Sequence, residues 1–132
     1  MYKRQVVEWN GDVYSCDHFV FPQYKLGNIT RQSISNLMRS QRQLTFGQNK
    51  RDKLPGQCRA CDYLFACNGE CPKNRFARTA DGEPGLNYLC AGYHRFFAHV
   101  APYMDWMKHE LLNKRPPAGI VDMLRDNPQF GQ

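Results

Sequence analysis

The stretch CRACDYLFACNGEC, residues 58–71, holds four of the chain's six cysteines within fourteen positions. The remaining two are Cys16 and Cys90. The spacing runs Cys58-x2-Cys61-x5-Cys67-x3-Cys71-x18-Cys90. Separations this short suit chelation better than crosslinking, because thiolates about one turn apart can point at a common metal. Disulfides would fit a small secreted domain. Residues 1–5, however, lead into a strand-like pattern and not into the apolar run of a signal peptide. Zinc is a serious competitor, since Cys58 with Cys61 and Cys67 with Cys71 would complete a tetrahedral site. Iron–sulfur clusters use the same thiolates in the same close pairs, and residue type does not separate the two metals. The count adds something. Six cysteines exceed one four-thiolate site, so two centres share them or some are spare.

Upstream, Val6-Val7-Glu8-Trp9 and Asp12-Val13-Tyr14 flank Asn10-Gly11, which predicts a β-hairpin whose tight turn needs positive φ. Residues 17–28 read as irregular, broken by Pro22 and Gly27. A central helix follows, capped by Thr30 or Ser33, with Ile34, Leu37, Met38 and Leu44 at near-helical spacing and Gly47 as a candidate end. Residues 48–57 read as a polar linker and residues 79–85 as a Gly/Asp/Pro loop. The strongest helical pattern is C-terminal: Tyr93, Phe96, Phe97, Val100, Met104, Met107 and Leu111 form a stripe, taken as core. Pro102 interrupts it, so a kink or a second helix is expected there. Beyond Arg115 the prolines predict an extended tail with at most one helical turn.

The 132 residues carry 13% aromatics and a net charge of +6. That charge suits nucleic acid, but the basic residues are scattered, with Lys50, Arg51 and Lys53 the densest group, so a solvated basic surface is the plainer account. A bound cluster would offset part of it, as four thiolates around a 2+ core leave about −2. Mean hydropathy is −0.68, and no apolar run approaches the roughly 20 residues that span a bilayer. A cytoplasmic protein without membrane contact is expected.

The cysteine series, together with Gly11-x4-Cys16, resembles the SPASM domain, an auxiliary iron–sulfur module of certain radical SAM enzymes. The stretches NGDVYSCDHFVFPQYKLGNI, CNGECPKNRF and RPPAGI are similar to the anaerobic sulfatase-maturating enzymes, which oxidise a cysteine or serine of a sulfatase polypeptide to formylglycine. The likeness covers about residues 6–120. It implies a small, metal-stabilised α+β fold with an N-terminal hairpin, a central helix, a cysteine-rich loop and a C-terminal helix or kinked helix pair. The SPASM-like domain would span residues 6–115 and the tail residues 116–132. It further implies that Cys58, Cys61, Cys67 and Cys90 complete one [4Fe–4S] cluster, while Cys16 and Cys71 are two of four ligands to another.

No Cys-x3-Cys-x2-Cys occurs, so S-adenosylmethionine would belong to a radical SAM barrel outside this chain. The resemblance thus implies a C-terminal fragment, inactive alone, whose partners are that barrel and a sulfatase. In the half-built centre, Cys16 and Cys71 would be thiols, a disulfide, or zinc ligands alongside a histidine such as His18. Zinc would then be a substitute metal.

Asp17 follows a presumed ligand, and the resemblance makes it the base that deprotonates the substrate. Cluster charge nearby would raise its pKa, and a strand continuing through it would turn Cys16 and Asp17 to opposite faces. Without the resemblance, Asp17 reads as a turn-opening residue. His94, His99 and His109 read as surface or packed residues, and Glu70 and Asp62 as solvated loop residues. The reading from a different class is a zinc-stabilised module that binds protein or RNA.

Overall fold

A computed structural model describes residues 5–131. The reading of residues 1–4 as free of a leader lies outside the described residues. The chain forms two units, residues 1–88 and 89–132.

The first unit begins with the expected hairpin. Strands β1 (Val6–Val7) and β2 (Asp12–Tyr14) pair antiparallel, Val6 opposite Tyr14 and Val7 opposite Val13. Glu8 accepts from the Gly11 amide at 2.9 Å, and its own amide donates to Asp12 at 2.8 Å. The loop is therefore the three residues Trp9-Asn10-Gly11. Only Gly11, at φ 84°, takes the left-handed position that ends such a loop. A third strand, β3 (Lys25–Asn28), pairs antiparallel with β2. It lies in the segment expected to be irregular, where Pro22–Tyr24 forms a 3-10 turn. Asp12 fastens it: its carboxylate accepts from Asn28 Nδ2 at 2.9 Å and pairs with Lys25 Nζ at 2.6 Å.

The expected single helix is two. Ser33 Oγ caps α1 (Ile34–Arg39) by accepting from the Asn36 amide. Ser40 ends α1 and caps α2 (Gln41–Asp52) by accepting from Gln43, so one residue serves both helices. Gly47 is buried inside α2 and does not end it, and the helix runs on through residues read as a linker. The core lies between sheet and helices: Val13, Ser15, Leu37 and Gln43 are buried, and Gln43 Nε2 donates to the Ser15 carbonyl at 3.2 Å. Gly27 admits this packing, since a Cβ there would lie 2.6 Å from Leu37 Cδ2. Phe19, Tyr24 and Phe46 meet edge to face at 4.8–5.7 Å.

The rest of this unit is short elements. Helices α3 (Gly56–Arg59) and α4 (Leu64–Cys67) carry Cys58 and Cys67, with Cys61 in the turn between them. Strands β4 (Ala77–Arg78) and β5 (Pro84–Leu86) form a hairpin, so residues 79–83 are its loop. Glu83 Oε2 in that loop accepts from the Gly56 amide at 2.7 Å, tying the hairpin to the start of α3.

The second unit opens with a long helix, α5 (Cys90–Leu112), which continues through Pro102; no second helix begins there. Proline lacks the N–H that the Ala98 carbonyl would otherwise receive. The core reading of its stripe holds in part. Tyr93, Phe97, Val100 and Met107 are half-buried, whereas Phe96, Met104 and Leu111 are exposed. The expected extended tail folds instead into a 3-10 turn, Pro117–Gly119, and α6 (Ile120–Asp126). Tyr103 anchors its end: the hydroxyl donates to the Phe130 carbonyl at 3.2 Å, and the two rings pack edge to face at 5.8 Å.

Candidate metal–thiolate site

Local structure places the clustered thiols one turn at a time. Cys58 is buried in α3, and its carbonyl accepts from Cys61, which lies in the turn leading to α4. Cys67 is the last residue of α4. The next three residues, Asn68, Gly69 and Glu70, all take left-handed conformations, at φ 48°, 68° and 55°. Such a run is strained for the two non-glycine residues. It reverses the chain within three residues and delivers Cys71 close behind Cys67. Glu70, read from sequence as a solvated loop residue, reaches back so that its carboxylate accepts from the Cys71 amide at 2.6 Å.

A residue that the sequence reading passed over organises this reversal. Arg75 is half-buried, and its guanidinium donates to four backbone carbonyls: Gly69 at 2.8 Å, Lys50 at 2.7 Å, Asn68 at 2.9 Å and Glu70 at 2.8 Å. Burial pushes its pKa down, while the charges of Cys58, Cys71 and Cys67 push it up. Its bonds to Asn68, Gly69 and Glu70 place it in the loop that links Cys67 to Cys71.

Cys16 lies away from the cysteine-rich stretch in sequence, just after β2. The chain turns after β2, with the Phe19 amide bonded to the Cys16 carbonyl at 2.9 Å. No strand runs through Asp17, so the expected opposite-facing arrangement does not form. The buried Cys16 thiol donates to Asp17 Oδ1 at 3.1 Å. Burial raises the Cys16 pKa, and the thiol's hydrogen bond holds the exposed Asp17 carboxylate below its ordinary range. The expected upward shift at Asp17 has its source in bound-cluster charge; the donor proton of a thiol has the opposite sign, and that proton leaves when a thiolate binds metal. His18 Nδ1 stands 3.1 Å from Cys71 Sγ, and Lys73 lies over the Phe21 ring at 5.9 Å. The turn after Cys16 is thus joined to the Cys71 loop at two points.

Cys90 opens α5 in the other unit. No disulfide forms among the six cysteines of the described residues. Among those residues, no three His, Cys, Asp or Glu side chains converge on a single-ion position. Cluster ligands stand farther apart than the ligands of one ion, because an iron–sulfide core lies between them. Reduced thiols are soft ligands, and a closely spaced set of them beside a partly buried cation's loop suits a negatively charged thiolate-held group. Fold and site together define a small metal–thiolate α+β module.

Comparison with known proteins makes this specific. Residues 1–62 match the family model for SPASM, an iron–sulfur cluster-binding domain. A serine-type anaerobic sulfatase-maturating enzyme of Bacteroides thetaiotaomicron is 67% identical over 121 residues, which is 92% of this chain and 29% of that protein. A cysteine-type enzyme of Clostridium perfringens is 32% identical over 97 residues, covering 74% of this chain and 26% of the relative. Among solved structures, native anSMEcpe with bound AdoMet and Kp18Cys peptide has a TM-score of 0.62 at 32% identity, covering 74% of this chain and 26% of that one. The chain belongs to the SPASM iron–sulfur domains of the anaerobic sulfatase-maturating enzymes, within the radical SAM superfamily. It spans less than a third of the length of these relatives. The small α+β fold agrees with the solved neighbours, and the zinc-module alternative gains no support from the matches. Among the described residues no helix is long and apolar enough to cross a membrane.

Proposed function

We propose that this chain is the auxiliary-cluster module of an enzyme that oxidises a side chain of a sulfatase polypeptide to formylglycine. The thiol series Cys58, Cys61, Cys67 and Cys71, with Arg75 holding the loop between its last two members, carries this reading. Cys58, Cys61, Cys67 and Cys90 would hold one [4Fe–4S] cluster, and Cys16 and Cys71 would supply two of the four ligands of a second. Residues 6–115 would act as this module, with residues 116–132 as its C-terminal extension. When bound, the clusters supply a one-electron acceptor and a structural cross-tie.

The remaining chemistry is the chain's own. Asp17 is exposed beside Cys16, where a carboxylate can take the proton of an incoming hydroxyl or thiol. His18 and Lys73 hold the Asp17 turn against the Cys71 loop, so the base and that ligand keep a fixed relation. Serine is the favoured target residue, because the serine-type relative shares 67% of aligned positions and the cysteine-type one 32%. The barrel that binds S-adenosylmethionine would be a partner of this module, and the sulfatase chain its substrate.

Anaerobic reconstitution tests the proposal. The chain should take up about four iron and four sulfide, the content of one four-thiolate cluster. Stoichiometric zinc that iron and sulfide do not displace would sink it.

A further inference from the structure

We propose that Arg75 is the positioning residue of the thiolate junction: it clamps the loop between Cys67 and Cys71 and supplies the positive charge that the bound thiolates face. The inference rests on the cluster reading above and adds to it a residue outside the cysteine set.

The clamp is geometric. Three consecutive carbonyls, of Asn68, Gly69 and Glu70, converge on one guanidinium, and a fourth comes from Lys50 in α2. Consecutive carbonyls of a strand or helix do not turn toward one point, and here the left-handed run brings them together. Those four bonds occupy four of the five N–H donors of an arginine. A lysine has three donors on a compact ammonium and cannot span the set. The loop also leaves no slack. A side chain at Gly69 would meet Leu54 Cδ2, with Arg75 Nη2 at 3.1 Å.

Among the described residues no carboxylate is bonded to the Arg75 charge. All four of Arg75's bonded acceptors are neutral carbonyls, and the Glu70 carboxylate is engaged with the Cys71 amide instead. Arg75's bonds to the carbonyls of Asn68, Gly69 and Glu70 hold the cation in the loop between Cys67 and Cys71, two of the residues that would become thiolates on binding a cluster. A fixed cation beside a cluster favours the reduced, more negative state, and nearby charge is among the factors that set cluster potentials.

Two substitutions in the reconstituted chain separate the roles. Arg75→Gln removes the charge and most of the clamp, whereas Arg75→Lys keeps the charge and loses the fork. The readouts are the midpoint potential from an electron paramagnetic resonance titration and the rate of iron release to a chelator. For Arg75→Gln the reduction equilibrium should weaken about tenfold, a fall of ~59 mV for one electron. Its iron should leave about tenfold faster, at the lower end for groups that support metal ligands. Arg75→Lys should keep the wild-type midpoint while still releasing iron faster. Wild-type midpoint and release in both variants would overturn the proposal. Where circular dichroism shows Arg75→Gln to be unfolded, Arg75→Lys decides: faster release at an unchanged midpoint supports the clamp, and wild-type release overturns it. A wild-type chain that takes up no iron and sulfide removes the cluster reading and this proposal together. Normal wild-type loading with indifferent variants removes the Arg75 proposal alone.

Discussion

Residues 5–52 and residues 54–88 fold by different means. The first stretch closes around apolar contact: Val13 and Leu37 are buried, three aromatic rings interlock, and Gly27 lets sheet and helix approach. The second has few apolar groups inside, chiefly Leu54 and the Cys58 side chain. Its shape comes from polar ties, with Arg75 on four carbonyls and Glu83 on the Gly56 amide. Hydrophobic burial supplies most of the stability of small domains, and net hydrogen bonding supplies about 1 kcal/mol per bond. The first region should therefore hold its fold without metal. The second should depend on the group its thiols bind, as small metal domains do.

The sharpest break in this contrast is Leu37→Ala. Leu37 is 2% exposed and packs against Gly27, so truncation should cost about 2–5 kcal/mol. Urea unfolding of the metal-free chain should show this as a lower midpoint. A loss well under 1 kcal/mol would mean that the sheet-and-helix region is not where metal-free stability resides. Gly69→Ala probes the other region. The added Cβ would collide with Leu54 at φ 68°, a strain of about 1–3 kcal/mol. It should appear chiefly as lost iron uptake, with the helical dichroism of the metal-free chain little changed. An equal loss in both measurements would erase the distinction between the two regions.

The same contrast separates what the residues disclosed from what they withheld. The hairpin was legible because Asn10-Gly11 is a local signal that needs no tertiary partner. Strand β3 was not, since Leu26 and Gly27 make a strand only where β2 offers an edge and Leu37 needs room. Gly47 misled for a related reason: a breaker in isolation, it sits buried within α2. Pro102 likewise marked an interruption that α5 passes through. The thiols were legible as a spacing and the Asp17 turn as a residue preference, while a base role for Asp17 came only through the family resemblance. Arg75 lay within the CNGECPKNRF stretch but nothing there singled it out, because one arginine has no periodicity and its four carbonyls become a site only after the chain reverses. His18 was singled out beforehand as a possible ligand, and its 3.1 Å approach to Cys71 bridges 53 residues.

A smaller effect tests the joint inside the apolar region. Ser40 caps α2 by accepting from the Gln43 amide, and its hydroxyl donates to the Leu37 carbonyl that closes α1. Ser40→Ala should cost about 1 kcal/mol in urea unfolding, with iron uptake unchanged. Reduced uptake would show that the helix pair and the thiol loop are coupled more tightly than their separate modes of folding suggest.

The least effect is expected from the one ionic tie in the sheet. Asp12 bonds to Lys25 and Asn28, and these partners hold its carboxyl below the ordinary carboxylate range. A carboxyl with a depressed folded-state pKa contributes stability in full above its unfolded pKa, near 3.9. That contribution declines as pH falls through the unfolded and then the folded value. The gap in unfolding midpoint between the wild type and Asp12→Asn should therefore be constant from pH 7 to about 5 and narrow steadily below about 4. It should be modest throughout, since the Lys25 side chain is 40% exposed and water and salt screen such pairs. Added salt should shrink it further. A gap that widens in acid would reverse the sign and show that Asp12 is held in its protonated form. A gap that rivals the Leu37→Ala effect would make the sheet, like the thiol loop, a structure held by polar ties.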